Sequence, residues 1–426
     1  MSNNNLTPAH QPTYGVQVTP EQIRQIIEVV FPGHQVTNIV QLESGKSFNN
    51  RIYFINVEPS RTFSARETVP LHLVLKVCGR GFHSSKIENE LGSLFLLHKY
   101  CPDLPIPRIF AWSGDGKSVE TTYGASTIYA GCEEIQLSEH AWILMERLPG
   151  RSMTVDDLDG PHREVLLHQV AGCVSMWRTL IPATTYFGNL RRLDKEVSSE
   201  STNVFLELAD GEPFCIGGLL LCTYYDPAAM TSPLEYYGRS ARDQVEKLAK
   251  SHLLAGIKDE VYHIVEDFLS IMPSIPILQN RKPSSFTHFD LSPRNILISE
   301  TDPPQITGFL DFEFAGFFPE EEEFLNAQVR QTDDWRQQDW KVLMRNLGSL
   351  GQVVPPTEGV DRETCISESH WNQLNAVAQI TDNIAPWYIQ EGAFSAEDLA
   401  VECQKAAAIV REKMRELQEL VTGDHG

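Results

Sequence analysis

The stretch THFDLSPRNILIS, residues 287–299, is followed after a turn by ITGFLDFEFAG, residues 306–316. Each contains an apolar run of strand-like composition, and the proline-containing turn between them predicts a hairpin. Asp290 and Asn295 lie five residues apart before the first run, and Asp311 ends the second. Two carboxylates and one amide oxygen brought together are the ligands that a weakly held Mg²⁺ ion takes, with water and phosphate completing its shell. The pattern therefore predicts a magnesium site at one end of the hairpin.

The residues before this hairpin predict a small mixed sheet with one major helix. Runs rich in Ile, Val, Leu and aromatic residues predict strands over residues 38–42, 51–57, 71–77, 108–112 and 142–145. A helix is predicted over residues 85–100 from its apolar spacing, and another begins at the capping box from Thr19 to Gln22. Beyond Gly150 the patterns become mainly helical, with helices predicted over residues 160–180, 232–255, 257–269, 369–390 and 395–420, the last beginning at a capping box from Ser395 to Asp398. We therefore expect an α+β protein with a sheet-rich part over residues 18–150, a helical part over residues 151–426, and disorder over residues 1–17.

Composition and charge exclude several classes of protein. The 426 residues carry 35 Lys and Arg against 57 Asp and Glu, a formal net charge of −22. This balance argues against a nucleic-acid-binding protein, because phosphate neutralisation needs basic surface. The longest nearly apolar stretch, residues 214–225, is too short to span a membrane, and the polar N-terminus has no signal-peptide pattern. The eight scattered cysteines are expected to be reduced thiols, so we expect a cytoplasmic protein without a membrane partner.

The paired motifs HFDLSPRN and LDFEF resemble the catalytic loop and metal-binding strand of the aminoglycoside phosphotransferase and choline kinase group. These enzymes are small-molecule relatives of protein kinases, and the resemblance extends over about residues 21–420, including features of fungal-type members. It implies a two-lobed, protein-kinase-like fold that binds ATP and Mg²⁺. The implied activity is transfer of the γ-phosphate to a hydroxyl group of a small molecule, and a cationic amine or an amino sugar is a candidate acceptor.

The resemblance also implies roles for individual residues. In the catalytic loop, Asp290 would accept or orient the proton of the acceptor hydroxyl, Asn295 would take part in catalysis and metal binding, and His288 would mainly fix the loop. The metal residues would be Asn295, Asp311 and Glu313. Lys76, paired with Glu90 rather than with the nearby Glu88, would neutralise the phosphates. The remaining ATP-binding residues would be those of the phosphate turn, Ser44, Gly45 and Ser47, and those of the hinge, Glu146 and Leu148.

Three departures from protein kinases separate the alternatives. The phosphate turn contains only Gly45, Ser292 stands where protein kinases place a lysine, and the metal strand ends in DFE, residues 311–313, with no APE segment after it. The last two favour a small-molecule kinase over an atypical protein kinase. A nucleotide-binding pseudokinase that acts as a scaffold is the other alternative, and the presence of the full set of charged residues argues against it. The oligomeric state is left open.

The acidic run Glu320–Glu323 follows the metal strand in the helical part. We interpret it mainly as a solvated run at a helix start, where the helix dipole favours acidic residues. A smaller expectation is that it attracts a cationic acceptor, because a cleft lined with one charge concentrates the opposite ion. Choline, ethanolamine, amino sugars, other hydroxylated amines and fungal metabolites all remain possible acceptors.

Overall fold

The computed structural model describes residues 7–43, 45–59, 72–80, 85–122, 139–192, 205–207, 213–222, 228–280, 282–326 and 334–423. Among these residues, the strands are β1 (His34–Gln41), β2 (Asn50–Pro59), β3 (His72–Cys78), β4 (Ile109–Ser113), β5 (Glu120–Thr121), β6 (Trp142–Glu146), β7 (Arg151–Ser152), β8 (Gly188–Arg192), β9 (Phe205–Glu207), β10 (Pro213–Ile216), β11 (Ser285–Thr287), β12 (Ile296–Ile298), β13 (Ile306–Phe309) and β14 (Gly316–Phe318). The helices are α1 (Pro20–Val30), α2 (Ser85–Tyr100), α3 (Arg163–Leu180), α4 (Pro233–Lys250), α5 (Ala255–Ile271), α6 (Glu322–Leu325), α7 (Gln337–Ser349), α8 (Glu368–Ile384) and α9 (Ala396–Gly423).

The N-terminal part is built on a six-stranded antiparallel sheet in the order β1-β2-β3-β6-β4-β5. Helix α1 begins with the predicted capping box and buries Ile23, Ile26 and Ile27 against one face of this sheet. Helix α2 packs its apolar residues into the larger core that continues through the helical part. Lys76 of β3 and Glu90 of α2 thereby lie between the two parts of the chain.

The prediction of disorder up to residue 17 is wrong for residues 7–17, which pack against the N-terminal sheet. The guanidinium of Arg51, which is buried, donates to the backbone carbonyl of Thr13 at 2.6 Å and to that of Val16 at 3.3 Å. Val16 is itself fully buried in the core beneath α1. The polar composition of this segment suggested disorder, but its backbone carbonyls supply the partners that a buried guanidinium requires.

The C-terminal part contains more strands than the sequence predicted. The five-stranded sheet β11-β14-β8-β10-β9 and the three-stranded sheet β13-β12-β7 lie among the helices. The β12–β13 pair is the predicted hairpin, with Ile296 opposite Phe309. Gly150, just before β7, has φ +99°, and a Cβ atom there would lie 2.4 Å from the carbonyl oxygen of Ile298. Only glycine therefore allows the connection from the N-terminal sheet to approach the hairpin so closely.

The five helices predicted beyond Gly150 correspond to α3, α4, α5, α8 and α9, with shifted ends, whereas α6 and α7 were not among the predicted ranges. Helix α9 starts with the predicted cap, since the backbone N–H of Asp398 donates to the hydroxyl of Ser395 at 3.1 Å. Helix α8 ends at Ile384 rather than at Gln390, because Pro386 follows two residues later. In the part of the chain that the structure describes, every helix is too short or too polar to cross a membrane.

Candidate active site

The β12–β13 hairpin brings the motifs HFDLSPRN and LDFEF together through backbone hydrogen bonds. The backbone N–H of Leu310 donates to the carbonyl oxygen of Asn295 at 2.9 Å, which places Asn295 beside the residue that precedes Asp311. Asp311 and Phe289 adopt left-handed backbone conformations, with φ of +67° and +71°, and they are the non-glycine residues with positive φ among those described. Such strain persists only where surrounding contacts enforce it, and it concentrates at functional sites.

His288 fixes the loop by bonds to backbone groups. Its ring is fully buried; Nε2 donates to the carbonyl oxygen of Leu310 at 2.9 Å, and Nδ1 accepts the backbone N–H of Asp290 at 3.2 Å. Burial lowers the pKa of His288 to about 4. The imidazole is therefore neutral near pH 7 in one tautomer, which suits a loop-fixing residue rather than a proton carrier.

Asp290 is held by two side chains of its own loop. Arg294 Nη2 donates to Oδ1 of Asp290 at 2.9 Å, and Asn295 Nδ2 donates to Oδ2 at 3.0 Å. The same Asn295 nitrogen lies 2.9 Å from the backbone carbonyl oxygen of Asp290. The amide nitrogen thus orients Asp290, and these bonds do not use the amide oxygen of Asn295.

Lys76 of β3 contacts three carboxylates, one on α2 and two that follow β13. Its Nζ lies 2.8 Å from Glu90, 2.6 Å from Oδ1 of Asp311 and 2.9 Å from Oε2 of Glu313. Burial alone would lower the pKa of Lys76, but the negative charges of Asp311, Glu313 and Glu90 outweigh it and raise the pKa well above its usual value. The structure therefore brings Lys76 and Glu90 together, whereas Glu88 accepts the backbone N–H of Arg192 at 3.3 Å.

Among the described residues, this buried cluster contains more carboxylates than ammonium groups. Glu90, Asp311 and Glu313 face the ammonium groups of Lys76 and Lys86, so three carboxylates meet two ammonium groups. Burial, followed by the neighbouring charge of Glu313, raises the pKa of Asp311. Asp311 is also 31% exposed, while Glu90 and Glu313 are nearly or fully buried. A cation that enters the cleft can therefore reach Asp311 and neutralise the excess charge.

Glu313 does not fit the predicted role of metal ligand, because both of its oxygens already have protein partners. Asn49 Nδ2 donates to Oε1 at 2.9 Å, and Asn50 Nδ2 donates to Oε2 at 2.6 Å. Lys76 and Lys86 also face Oε2, at 2.9 and 3.2 Å. Although burial alone would raise the pKa of Glu313, the two lysines hold it far below its usual range. Glu313 thus joins the hairpin to the start of β2, and we refer to this set of contacts as the Glu313 clasp.

The phosphate turn lies directly before the clasp. Ser44 lies outside the described residues. Gly45 is exposed with φ +86°, and Ser47 is half-buried. The next residue, Phe48, contacts Trp387 of the C-terminal part at 5.9 Å between ring centroids, although the Trp387 side chain is 71% exposed. The C-terminal end of the turn is therefore fixed by an aromatic contact and, directly after it, by the clasp.

The hinge residues Glu146 and Leu148 lie at the end of β6. The backbone N–H of Glu146 donates to the carbonyl oxygen of Arg108 at 2.8 Å, and the N–H of Arg147 donates to that of His72 at 3.2 Å. The Glu146 carboxylate pairs with Arg108 at 3.1 Å. These bonds leave the carbonyl of Glu146 and the backbone N–H of Leu148 unused.

The interpretation of Glu320–Glu323 as a solvated run is wrong. Glu321, Glu322 and Glu323 are buried, and Glu320 pairs with Lys282 at 2.7 Å. Glu323 Oε2 accepts the backbone N–H of His288 at 2.9 Å, so it supports the catalytic loop from beneath. The run cannot attract a charged acceptor in the expected way, because its carboxylates face protein groups rather than the solvent.

Sequence reasoning missed four polar residues that assemble this site: Asn49, Asn50, Lys86 and Asn89. Besides the clasp, Lys86 Nζ donates to Oδ1 of Asn50 at 3.0 Å. Asn89, the neighbour of Glu90, donates to the backbone carbonyls of Glu313 and Ala315, both at 2.9 Å. The available signal was that α2 is apolar around most of its circumference, which predicts a buried helix whose few polar residues need partners.

The chain is similar to known proteins in sequence pattern and in fold. The model of the phosphotransferase enzyme family matches residues 41–352. No curated protein matches the chain significantly. Among solved structures, the ADP-bound aminoglycoside phosphotransferase APH(2'')-Ib is 14% identical with a TM-score of 0.51, the match covering 93% of this chain and 99% of that one. The gentamicin complex of APH(2'')-IIa is 13% identical with a TM-score of 0.54, covering 94% and 99%.

An ethanolamine kinase of Plasmodium vivax is 13% identical over 88% of this chain and 83% of that one, with a TM-score of 0.45. The two aminoglycoside phosphotransferases share the fold of this chain over 93% and 94% of its length. The predicted α+β, two-lobed, protein-kinase-like fold, with a sheet-rich N-terminal lobe and a helical C-terminal lobe, is therefore confirmed.

Proposed function

The chain belongs to the phosphotransferase enzyme family, and from that premise we propose that it transfers the γ-phosphate of ATP to a hydroxyl group of a small molecule. The observation that carries the proposal is the position of Lys76, whose ammonium group joins Glu90 of α2 to Asp311 of the hairpin. A buried lysine held by three carboxylates stays charged. It can therefore offer its positive charge to phosphate oxygens that enter the cleft.

The donor set fits one magnesium ion. The partly exposed carboxylate of Asp311 and the amide oxygen of Asn295 are hard oxygen ligands, and the net negative charge of the cluster favours a cation. Among the described residues no group of three or more His, Cys, Asp or Glu side chains is arranged to hold a metal. A bound Mg²⁺ ion would neutralise phosphate charge during transfer. Glu313 serves instead to hold the residues around it.

Asp290 is the group we assign to the acceptor. Its carboxylate is 15% exposed and is oriented by Asn295 and Arg294. In this position it accepts or orients the proton of the attacking hydroxyl group. Phosphoryl transfer requires little covalent help, so positioning and charge neutralisation supply most of the catalysis. We assign the Glu146 carbonyl and the Leu148 N–H to the adenine, and Gly45 and Ser47 to the phosphates.

ATP as donor is supported by the ADP bound to APH(2'')-Ib, a relative with the same fold. The acceptor class is supported by gentamicin in the complex of APH(2'')-IIa. Both relatives are below 15% identity, so they support a hydroxylated small molecule, including an amino sugar, without selecting one compound. Because Glu321–Glu323 are buried, the acidic run does not support a preference for a cationic acceptor.

The test is a screen of hydroxylated small molecules for acceptor-dependent ADP release, using the full chain with MgATP. Amino sugars, choline, ethanolamine and neutral polyols form separate groups of the screen. We expect release with at least one group, and expect it to be lost in Asp290→Asn. Arg411→Met, on the distant α9, is the matched control and should retain activity. A wild-type chain that binds ATP through Lys76 but never releases ADP would contradict the proposal and favour the scaffold alternative.

A further inference from the structure

The catalytic loop lacks a cation at the position where protein kinases place one. Ser292, two residues after Asp290, occupies that position, and its side chain is buried. Phosphoryl transfer brings the three charged oxygens of the phosphoryl group close to the carboxylate that faces the acceptor. Two neighbouring groups of the same charge repel each other unless a cation lies near both of them.

Arg294 meets this requirement from a different position in the loop. Its Nη2 donates to Oδ1 of Asp290 at 2.9 Å, and its Nη1 donates to Oδ1 of Asp334 at 2.6 Å. The planar guanidinium thus lies between two carboxylates, a geometry that one ammonium group could not reproduce. The Arg294 side chain is nevertheless 54% exposed, so a ligand in the cleft can reach it.

The partner that holds Arg294 is itself anchored to the catalytic loop. Trp335, next to Asp334, donates its indole N–H to the backbone carbonyl oxygen of Leu291 at 2.9 Å. Asp334 is 22% exposed, less than half as much as Arg294. The pairing therefore differs from an ordinary exposed i,i+4 ion pair, whose partners move freely and which contributes little.

We propose that Arg294 is a positioning residue for phosphoryl transfer: it fixes the carboxylate of Asp290 and offsets its negative charge as the phosphoryl group approaches. The inference rests on the proposed function. In the step itself, the acceptor oxygen forms a bond to the γ-phosphorus, the bond from that phosphorus to the β–γ bridging oxygen breaks, and ADP leaves with the electron pair. The hydroxyl proton passes to Asp290 and then to solvent.

The test measures steady-state ATP turnover with MgATP and water as the acceptor, which needs no identified substrate. We expect Arg294→Met to lower kcat about a hundredfold, comparable to the contribution of a positioned general base, while the KM for ATP changes less than about threefold. We expect Arg294→Lys to retain about a tenth of wild-type kcat, because it keeps the charge but not the two-pronged geometry. Added guanidinium should restore part of the kcat of Arg294→Met.

Two further variants separate this role from a structural one. Asp334→Asn should lower kcat by roughly tenfold at unchanged KM, since it loosens Arg294 without removing it. Arg411→Met, whose arginine pairs with Glu260 far from the site, should behave as wild type. The inference is overturned if Arg294→Met keeps kcat within threefold of wild type, or if guanidinium and lysine both fail to restore activity. A wild-type chain that is inactive with water and with every acceptor of the screen would instead overturn the proposed function, and the inference with it.

Discussion

Replacement of Glu313 by glutamine tests whether this residue is a structural clasp or a metal ligand. Glutamine has the same shape but carries no charge. In the variant, Lys76 and Lys86 lose the carboxylate that lies 2.9 and 3.2 Å from them, and the new amide nitrogen faces the amide donors of Asn49 or Asn50. Removal of one partner from a buried ion pair costs about 3–5 kcal/mol, because the remaining charge stays buried. We expect the free energy of unfolding to fall by that amount.

The two roles predict opposite patterns in two assays. Chemical denaturation reports stability, and the Mg²⁺ concentration for half-maximal ATP turnover reports metal binding. A clasp predicts a large loss of stability with less than about a threefold change in that Mg²⁺ concentration. Asp311→Asn should show the reverse pattern, and Glu416→Gln on the exposed face of α9 should change stability by no more than about 0.5 kcal/mol. Unchanged stability in Glu313→Gln, with the Mg²⁺ requirement raised tenfold or more, would refute the clasp.

Three further predictions follow from the same cluster and its surroundings. Asp311→Ala should abolish Mg²⁺-dependent turnover in a folded chain, a loss of several kcal/mol of transition-state stabilisation; near-normal turnover would remove Asp311 from the metal site. In a double-mutant cycle, the effects of Lys76→Ala and Glu90→Ala on the activation free energy of turnover should be non-additive by about 0.5–3 kcal/mol. Full additivity would show that the two residues do not act as a pair. Burial, then the charge of Glu320, raises the pKa of Glu321 to about 7. Ionisation of Glu321 therefore destabilises the native state as pH rises through 7. Between pH 4.5 and 8, the free energy of unfolding of Glu321→Gln, measured by denaturation, should rise relative to that of wild type by up to about 3 kcal/mol. A difference that does not depend on pH would contradict this.

The sequence predicted those elements whose signals are local. Helix α1 begins at Thr19 and Pro20, because a capping box and a helix-compatible proline act within four residues. Helix α2 has the bounds predicted from its apolar spacing. The β12–β13 hairpin was equally predictable, since its strands, turn and polar residues lie within thirty residues of one another.

The second sheet could not be predicted in this way. Strands β8, β9 and β10 contain three to five residues, too few for an alternating pattern to emerge. Strand β8 is stabilised instead by distant groups, such as Asn89 Oδ1, which accepts the N–H of Leu190 at 2.6 Å. The same limit applies to the acidic run. Whether Glu323 is solvated or buried depends on His288, thirty-five residues away, and the composition of the run carries no information about it.

The Glu313 clasp also explains how a turn with one glycine can be held in place. Glycine-rich phosphate turns rely on backbone N–H groups that approach the ligand closely, and Gly45 alone offers little of this freedom. Here the end of the turn is fixed by two side-chain amides, since Asn49 and Asn50 donate to the same carboxylate. That carboxylate lies two residues from Asp311 and faces Lys76.

A consequence is that the turn, the lysine and the metal strand cannot move independently. Any displacement of the N-terminal sheet away from the hairpin breaks the bonds of Asn49, Asn50 and Lys76 to Glu313 together and leaves the buried carboxylate with Lys86 alone among these partners. Such a carboxylate is costly, so the closed arrangement is favoured before any ligand binds. Asn50→Asp places a like charge beside Glu313 and should favour opening. It should therefore raise the KM for ATP more than Asn50→Ala does, and equal effects of the two substitutions on KM would show that closure does not depend on this carboxylate.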